Sequence, residues 1–224
     1  MPARIISIEG NIGSGKSTFL ARLQRHFKNQ NDNQNEIMTN PNIIFLQEPV
    51  QEWESIKDSD GNTMIQKFYQ DQEKYSFSFQ MMAYISRLAL LKKTIQENPD
   101  AIIISERSLY TDKLVFAKML FDDKKIEDVN YSIYLKWFDT FAQDFPLTGV
   151  VYLKTDPKIC YERIKKRNRN GEETIPLDYL EKCSLYHDEM IAEKSENFAL
   201  YLNGNMDIKE KINEWIQEFY KYIE

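Results

Sequence analysis

Five short apolar runs punctuate the chain: Arg4–Ile8, Ile43–Gln47, Ala101–Ser105, Val150–Lys154 and Ala199–Leu202. They are apolar along most of their length instead of alternating, the pattern of parallel strands covered on both faces. Longer stretches with helical spacing separate them, near Lys16–Lys28, Met64–Gln70, Tyr75–Glu97, Asp112–Leu120, Tyr131–Asp144, Pro157–Lys166, Leu177–Ser195 and Ile208–Ile223. This order predicts an α/β fold, a five-stranded parallel sheet with helices on both faces. Along Tyr75–Glu97 the residues Phe77, Met81, Tyr84, Ile85, Leu88 and Leu91 form a broad stripe suited to a core or an interface. Lys28–Asn42, rich in Asn and Gln, and the charged segment Asp122–Asn130 read as surface connections. With no internal repeat, the 224 residues are expected to form one domain.

Composition narrows the function classes. A net charge of −6 argues against a general nucleic-acid binder, which carries a basic excess. Cys160 and Cys183 have neither metal-ligand spacing nor a disulfide framework, so both are expected to stay reduced. No apolar run reaches the ~18 residues of a membrane span. The first strand begins almost at once, leaving no room for a targeting segment, and a cytoplasmic location is expected.

Directly after the first apolar run comes Gly10-Asn11-Ile12-Gly13-Ser14-Gly15-Lys16-Ser17-Thr18, which fits G-x-x-x-x-G-K-[ST] between a strand and a helix. Small glycines let successive backbone N–H groups curl around phosphate oxygens. The helix N-terminus adds its positive dipole. Lys16 supplies a mobile cation for the β and γ phosphates, and the Ser17 hydroxyl suits Mg2+. A nucleoside triphosphate ligand is expected.

Other candidates sit at strand ends, where an open parallel sheet gathers its ligand crevice. Glu48, in Leu46-Gln47-Glu48-Pro49-Val50-Gln51-Glu52-Trp53, is placed to accept the proton of a substrate hydroxyl. Taken alone, it fits an exposed strand-end carboxylate equally well. In Ser105-Glu106-Arg107-Ser108, Glu106 suits a metal shell, and Arg107 a phosphate or the orientation of Glu48. A plain Glu–Arg ion pair competes with that reading. Arg163-Ile164-Lys165-Lys166-Arg167-Asn168-Arg169 packs five cations into seven residues, with Arg163 and Arg167 one helical turn apart and Gly171 just beyond. This suits a lid, spanning about 163–175, that closes arginines over a triphosphate. A solvated helix face is the alternative. Gln80 and Arg87 lie two turns apart on one helix. Gln80 has the donor and acceptor that suit a nucleobase edge, and Arg87 calls for an acidic partner or a ligand, Asp112 being the local candidate; a structural Arg–Asp bridge without a ligand is the alternative.

Six motifs in this order resemble the deoxynucleoside kinase family: Gly10–Thr18; Glu48-Pro49-Val50 with Trp53; Phe77-Ser78-Phe79-Gln80; Glu106-Arg107-Ser108; Arg163–Arg169; and Ile175-Pro176-Leu177-Asp178-Tyr179-Leu180. The resemblance runs nearly end to end and implies a P-loop kinase fold. It implies transfer of the γ-phosphate of ATP or another nucleoside triphosphate, with Mg2+, to the 5′-hydroxyl of a deoxynucleoside for nucleotide salvage. By the same resemblance Glu48 takes the hydroxyl proton with Arg107 beside it, and Glu106 and Ser17 serve the magnesium shell. Gln80 pairs with the base, and Trp53 and Phe116 are aromatic walls. Tyr69 and Glu172 hold the sugar 3′-hydroxyl, and Arg163, Arg167 and Arg169 are the lid arginines. The pair Arg87 and Asp112 resembles members that act on deoxycytidine, deoxyadenosine or deoxyguanosine rather than thymidine. A homodimer is implied too, packed through helices on one side of the sheet.

Two rivals remain at this stage. A nucleoside monophosphate kinase, acting on dTMP or a related nucleotide, needs a cationic pocket for the acceptor's own phosphate, which Glu48 would repel. A non-catalytic nucleotide switch depends on loops that sense the γ-phosphate. Such a switch has no reason to assemble Glu48, Tyr69, Gln80, Arg87, Asp112 and Glu172.

Overall fold

The computed structural model describes residues 3–32, 42–167, 172, 174–192 and 198–223. Five strands form one parallel sheet: β1 (Arg4–Glu9), β2 (Ile43–Leu46), β3 (Ile102–Glu106), β4 (Gly149–Lys154) and β5 (Ala199–Asn203), in the order β2-β3-β1-β4-β5. The chain extends to one side of β1 through β3 and β2 and to the other through β4 and β5. The crevice beyond the carboxyl end of β1 is therefore the switch point where α/β sheets bind ligands.

Both faces of the sheet are covered, which is why the strands read as continuous apolar runs. Ile6, Ile8, Ile104, Val151 and Leu153 pack against Phe19, Leu20 and Leu23 of α1 (Lys16–Asp32) and Trp215 and Phe219 of α10 (Ile208–Ile223). On the opposite face, Ile5 and Ile103 meet Tyr84 and Leu91 of α4 (Gln72–Glu97) and Tyr134 and Phe138 of α7 (Asp128–Phe141). Val150 and Tyr152 meet Val115 together with Met190 and Ile191 of α9 (Leu177–Ala192). The remaining helices are α2 (Val50–Ser55), α3 (Met64–Gln70), α5 (Leu109–Thr111), α6 (Lys118–Asp122) and α8 (Pro157–Arg167).

The expected strands and long helices are present to within a few residues, with three differences. α2 is absent from the sequence reading because six residues are too short to establish a period. The segment Asp122–Asn130 is more than a surface connection: Ile126 is buried against Phe68 and Leu120, and α7 already begins at Asp128. One apolar anchor among charges gives no periodic signal. Third, the helix expected over Asp112–Leu120 starts earlier and changes type, α5 and α6 being joined by a π-helical segment, Asp112–Ala117. This wider winding brings Asp112 and Phe116 to the central cavity while Val115 and Ala117 stay in the core. The loop expected over Lys28–Asn42 lies largely outside the described residues. Among the described residues, no helix is long and apolar enough to cross a membrane.

Candidate active site

A cavity of about 670 Å³ opens at the carboxyl ends of the strands. Its floor is the phosphate loop. Gly10 and Gly13 have φ of +142° and +79°, and a Cβ on either would stand 2.6 Å from a backbone oxygen, of Leu153 and Cys160 respectively. Only glycine fits such a turn. The Asn11 amide donates to the Leu180 carbonyl at 2.7 Å while its oxygen accepts from the Ile12 N–H at 2.8 Å, tying the loop to α9. Ile12, Gly13, Ser14, Gly15, Lys16, Ser17 and Thr18 line the cavity. Lys16 Nζ donates to the Asn11 carbonyl at 2.7 Å. Burial, reinforced by the nearby Arg107 charge, pulls its ammonium down to about 7. The Ser17 hydroxyl donates to Glu106 Oε1 at 2.5 Å, so two oxygens are already paired at the mouth of the loop.

Beside the loop, two guanidiniums converge on one carboxylate. Arg87 Nη2 donates to Glu48 Oε1 at 2.9 Å, and Arg107 Nε lies 3.4 Å from the same oxygen. No described residue bonds Glu48 Oε2, although the side chain lines the cavity. Burial alone would raise the Glu48 carboxyl, but Arg107 and Arg87 outweigh it and hold it below the usual carboxylate range. Arg87 is fully engaged. Its Nε donates to Asp112 Oδ2 at 2.9 Å and its Nη1 to the Glu106 carbonyl at 2.8 Å. Burial pushes the Asp112 carboxyl up to about 6, against the pull of Arg87.

Gln80 is 2% exposed, lines the cavity and has no hydrogen-bond partner among the described residues. Its amide opens on the cavity with a donor and an acceptor to offer a ligand. Trp53 and Phe116 line the same cavity. Trp53 is fixed by its indole N–H, which donates to Ser86 Oγ at 2.7 Å, and by edge-on contact with Phe79. Tyr69 and Glu172 line the same space, and burial, followed by the charge of Glu172, raises the Tyr69 phenol.

The expected lid arginines divide. Arg163 Nη1 donates to the carbonyls of Ser14 at 3.1 Å and Gly204 at 3.0 Å, bridging the phosphate loop to the turn after β5. Arg167 forms an ion pair with Glu172. Arg169 and Gly171 lie outside the described residues. Every other candidate from the sequence lines this cavity or, like Arg87, Gly10 and Asn11, contacts its lining.

The deoxynucleoside kinase family model matches residues 6–224. The chain belongs to the deoxynucleoside kinase family. Its relatives in that family include the mouse deoxycytidine kinase, 32% identical over 97% of this chain and 90% of the relative. A chicken deoxycytidine kinase 2 is 33% identical over 92% of this chain and 84% of the relative. A mitochondrial deoxyguanosine kinase of Xenopus laevis is 29% identical, with coverage of 93% and 80%. The fold is accordingly the P-loop kinase fold, and the activity carried by the family is phosphoryl transfer to a deoxynucleoside.

Two residues around the deoxynucleoside kinase site escaped the sequence reading. Ser86 sets the Trp53 indole, and His187 meets Arg107 Nη1 at 3.3 Å. Ser86 lies one residue before Arg87 on α4, the helix that also carries Gln80. His187 carried no local signal, being 80 residues from its partner.

Proposed function

We propose that this chain transfers the γ-phosphoryl group of ATP to the 5′-hydroxyl of deoxycytidine, deoxyadenosine or deoxyguanosine, in preference to thymidine. The observation that carries this reading is Glu48, held ionised between Arg87 and Arg107 in the cavity that the phosphate loop also lines. The 5′-oxygen attacks the γ-phosphorus, the bond to the β–γ bridging oxygen breaks, and the hydroxyl proton passes to Glu48. A loose transition state makes Glu48 as much an aligner of the hydroxyl as a base.

Lys16, with the loop N–H groups, neutralises the β and γ phosphates, and Arg107 and the lid arginines Arg163, Arg167 and Arg169 add charge where it develops in transfer. Ser17 and Glu106, two oxygens already in contact, fit a Mg2+ ion, which takes one or two protein oxygens alongside phosphates and water. When bound it would supply charge neutralisation between the phosphates. Gln80 reads the base edge between Trp53 and Phe116, and Tyr69 with Glu172 holds the 3′-hydroxyl. The pair Arg87–Asp112 closes the space that a thymine methyl would need.

The whole chain acts as one domain in this reading, in a cytoplasmic setting, and as a homodimer. Support for the dimer lies on α7, where Val129, Ile133, Trp137 and Phe141 recur every fourth residue and are all exposed. Trp137 and Phe141 stack on each other. Four large apolar side chains on one helix face exceed the single exposed residues normal for a monomer. The tyrosine, methionine and leucine positions of the Tyr75–Glu97 stripe mostly face the core instead.

The test is product analysis with ATP, Mg2+ and each deoxynucleoside or its monophosphate. Formation of 5′-monophosphates from nucleosides supports the reading. Turnover of monophosphates alone would hand it to the monophosphate kinase, and no transfer at all to the nucleotide switch.

A further inference from the structure

His187 is fully buried on α9 and lies outside the cavity lining, yet it meets Arg107 directly. Both ring nitrogens are assigned by their neighbours. Nδ1 lies 2.6 Å from the Cys183 carbonyl oxygen, one helical turn back. A carbonyl only accepts, so Nδ1 carries the hydrogen. In the neutral ring Nε2 is then the lone-pair nitrogen, and it faces Arg107 Nη1, a donor that keeps its proton, at 3.3 Å. The surroundings enforce neutrality: burial and then the Arg107 charge hold the imidazole well below its usual range. Rings fix the orientation, Tyr152 parallel to the imidazole and Phe116 edge-on.

Arg107 is a residue that needs such support. Its backbone φ of +63° is uncommon for a long side chain and holds only when the surroundings determine it. Its N–H donates to the Ile8 carbonyl at 3.0 Å, and its own carbonyl accepts from Ser105 Oγ at 2.8 Å. The guanidinium lies over the Phe116 ring at 4.8 Å and donates to the Gly10 carbonyl at 3.1 Å. Behind it, then, stand neutral acceptors, and in front of it stands Glu48. A carboxylate in place of His187 would hold the guanidinium as firmly but would cancel its charge. An imidazole with its lone pair forward holds it and leaves the charge whole.

We propose that His187 is a positioning residue, a neutral acceptor that aims the Arg107 guanidinium at Glu48 and the phosphoryl path without reducing its charge. This rests on the reading of Arg107 as a group in the reaction.

The sequence contains two histidines, so 15N-histidine labelling of the native protein isolates the ring, with His26→Gln to assign it. The expected spectrum is the Nδ1–H tautomer of His187, with no titration between roughly pH 5.5 and 8.5. An Nε2–H tautomer, or titration in that range, overturns the proposal. Kinetics give the second readout. His187→Gln, which returns an acceptor oxygen near the Nε2 position, should keep kcat within about threefold, and His187→Leu should lower it about 10- to 100-fold with both KM values within about threefold. Equal losses in the two variants overturn it. Should His187→Leu fail to fold, His187→Asn, one methylene too short to reach Arg107, takes its place against His187→Gln. In an Arg107→Ala background the His187 substitutions should cost nothing further, and an added loss overturns the proposal. If Arg107→Ala alone leaves kcat unchanged, the role of Arg107 falls and takes the proposal with it, while the tautomer spectrum still reports the bond separately.

Discussion

Arg87 and Glu48 are joined at 2.9 Å, and the same guanidinium holds Asp112 at 2.9 Å, so the strand-end carboxylate and the π-helical segment share one cation. On the proposed function, opening the space around this pair therefore reaches the chemistry too. Arg87→Met with Asp112→Ala should raise the kcat/KM for thymidine relative to deoxycytidine about tenfold or more. It should also lower kcat for every nucleoside, because Glu48 keeps only Arg107. A kinetic panel on the double variant checks both, and an unmoved ratio removes the pair from base selection.

Glu48→Gln keeps the shape of the side chain and removes its charge. The expected result is a kcat lower by about 10²- to 10³-fold with nucleoside affinity within about threefold, read by steady-state kinetics alongside calorimetric binding. Unchanged kcat would take Glu48 out of the reaction.

Lys16 links donor binding to pH. Its ammonium is pulled down to about 7 in the free protein, and the charge of a bound triphosphate raises it again. Above about pH 7 binding therefore takes up a proton, and affinity for ATP should fall by up to about tenfold for each pH unit. Below about pH 7 Lys16 is already charged and contributes no slope. Calorimetry in buffers of different ionisation heat measures the uptake directly. No uptake at pH 8 would contradict the burial of Lys16.

The α7 stripe carries a prediction about assembly. Trp137→Glu with Phe141→Glu places two charges on the exposed face, and sedimentation should show a dimer reduced to a monomer. The melting temperature measured on the monomer should stay within a few degrees, since neither ring sits in the core. A wild-type monomer at micromolar concentration would end the dimer reading.

The parts legible from sequence were those written locally. The phosphate loop, Glu48 with Trp53, and Glu106 with Arg107 each lie within a few residues at a strand end, where parallel-sheet geometry fixes their direction. Gln80 and Arg87 were legible because one helix periodicity places them on one face. The relation of Arg87 to Glu48 was not, since it depends on how far α4 lies from the end of β2. The π-helical winding at Asp112–Ala117 leaves no trace in propensity, and Ile126 and α2 are too short to form a pattern. His187 was the furthest out of reach, because its meaning comes from a guanidinium 80 residues away.

Acceptor choice is measured most directly by a kcat/KM panel with ATP and Mg2+ over the four deoxynucleosides and their monophosphates. The expected result is 5′-phosphorylation of deoxycytidine, deoxyadenosine or deoxyguanosine at least about tenfold above thymidine, and no transfer to a monophosphate. Thymidine as the best acceptor would contradict the role given to Arg87 and Asp112, and transfer to monophosphates alone would contradict the role given to Glu48.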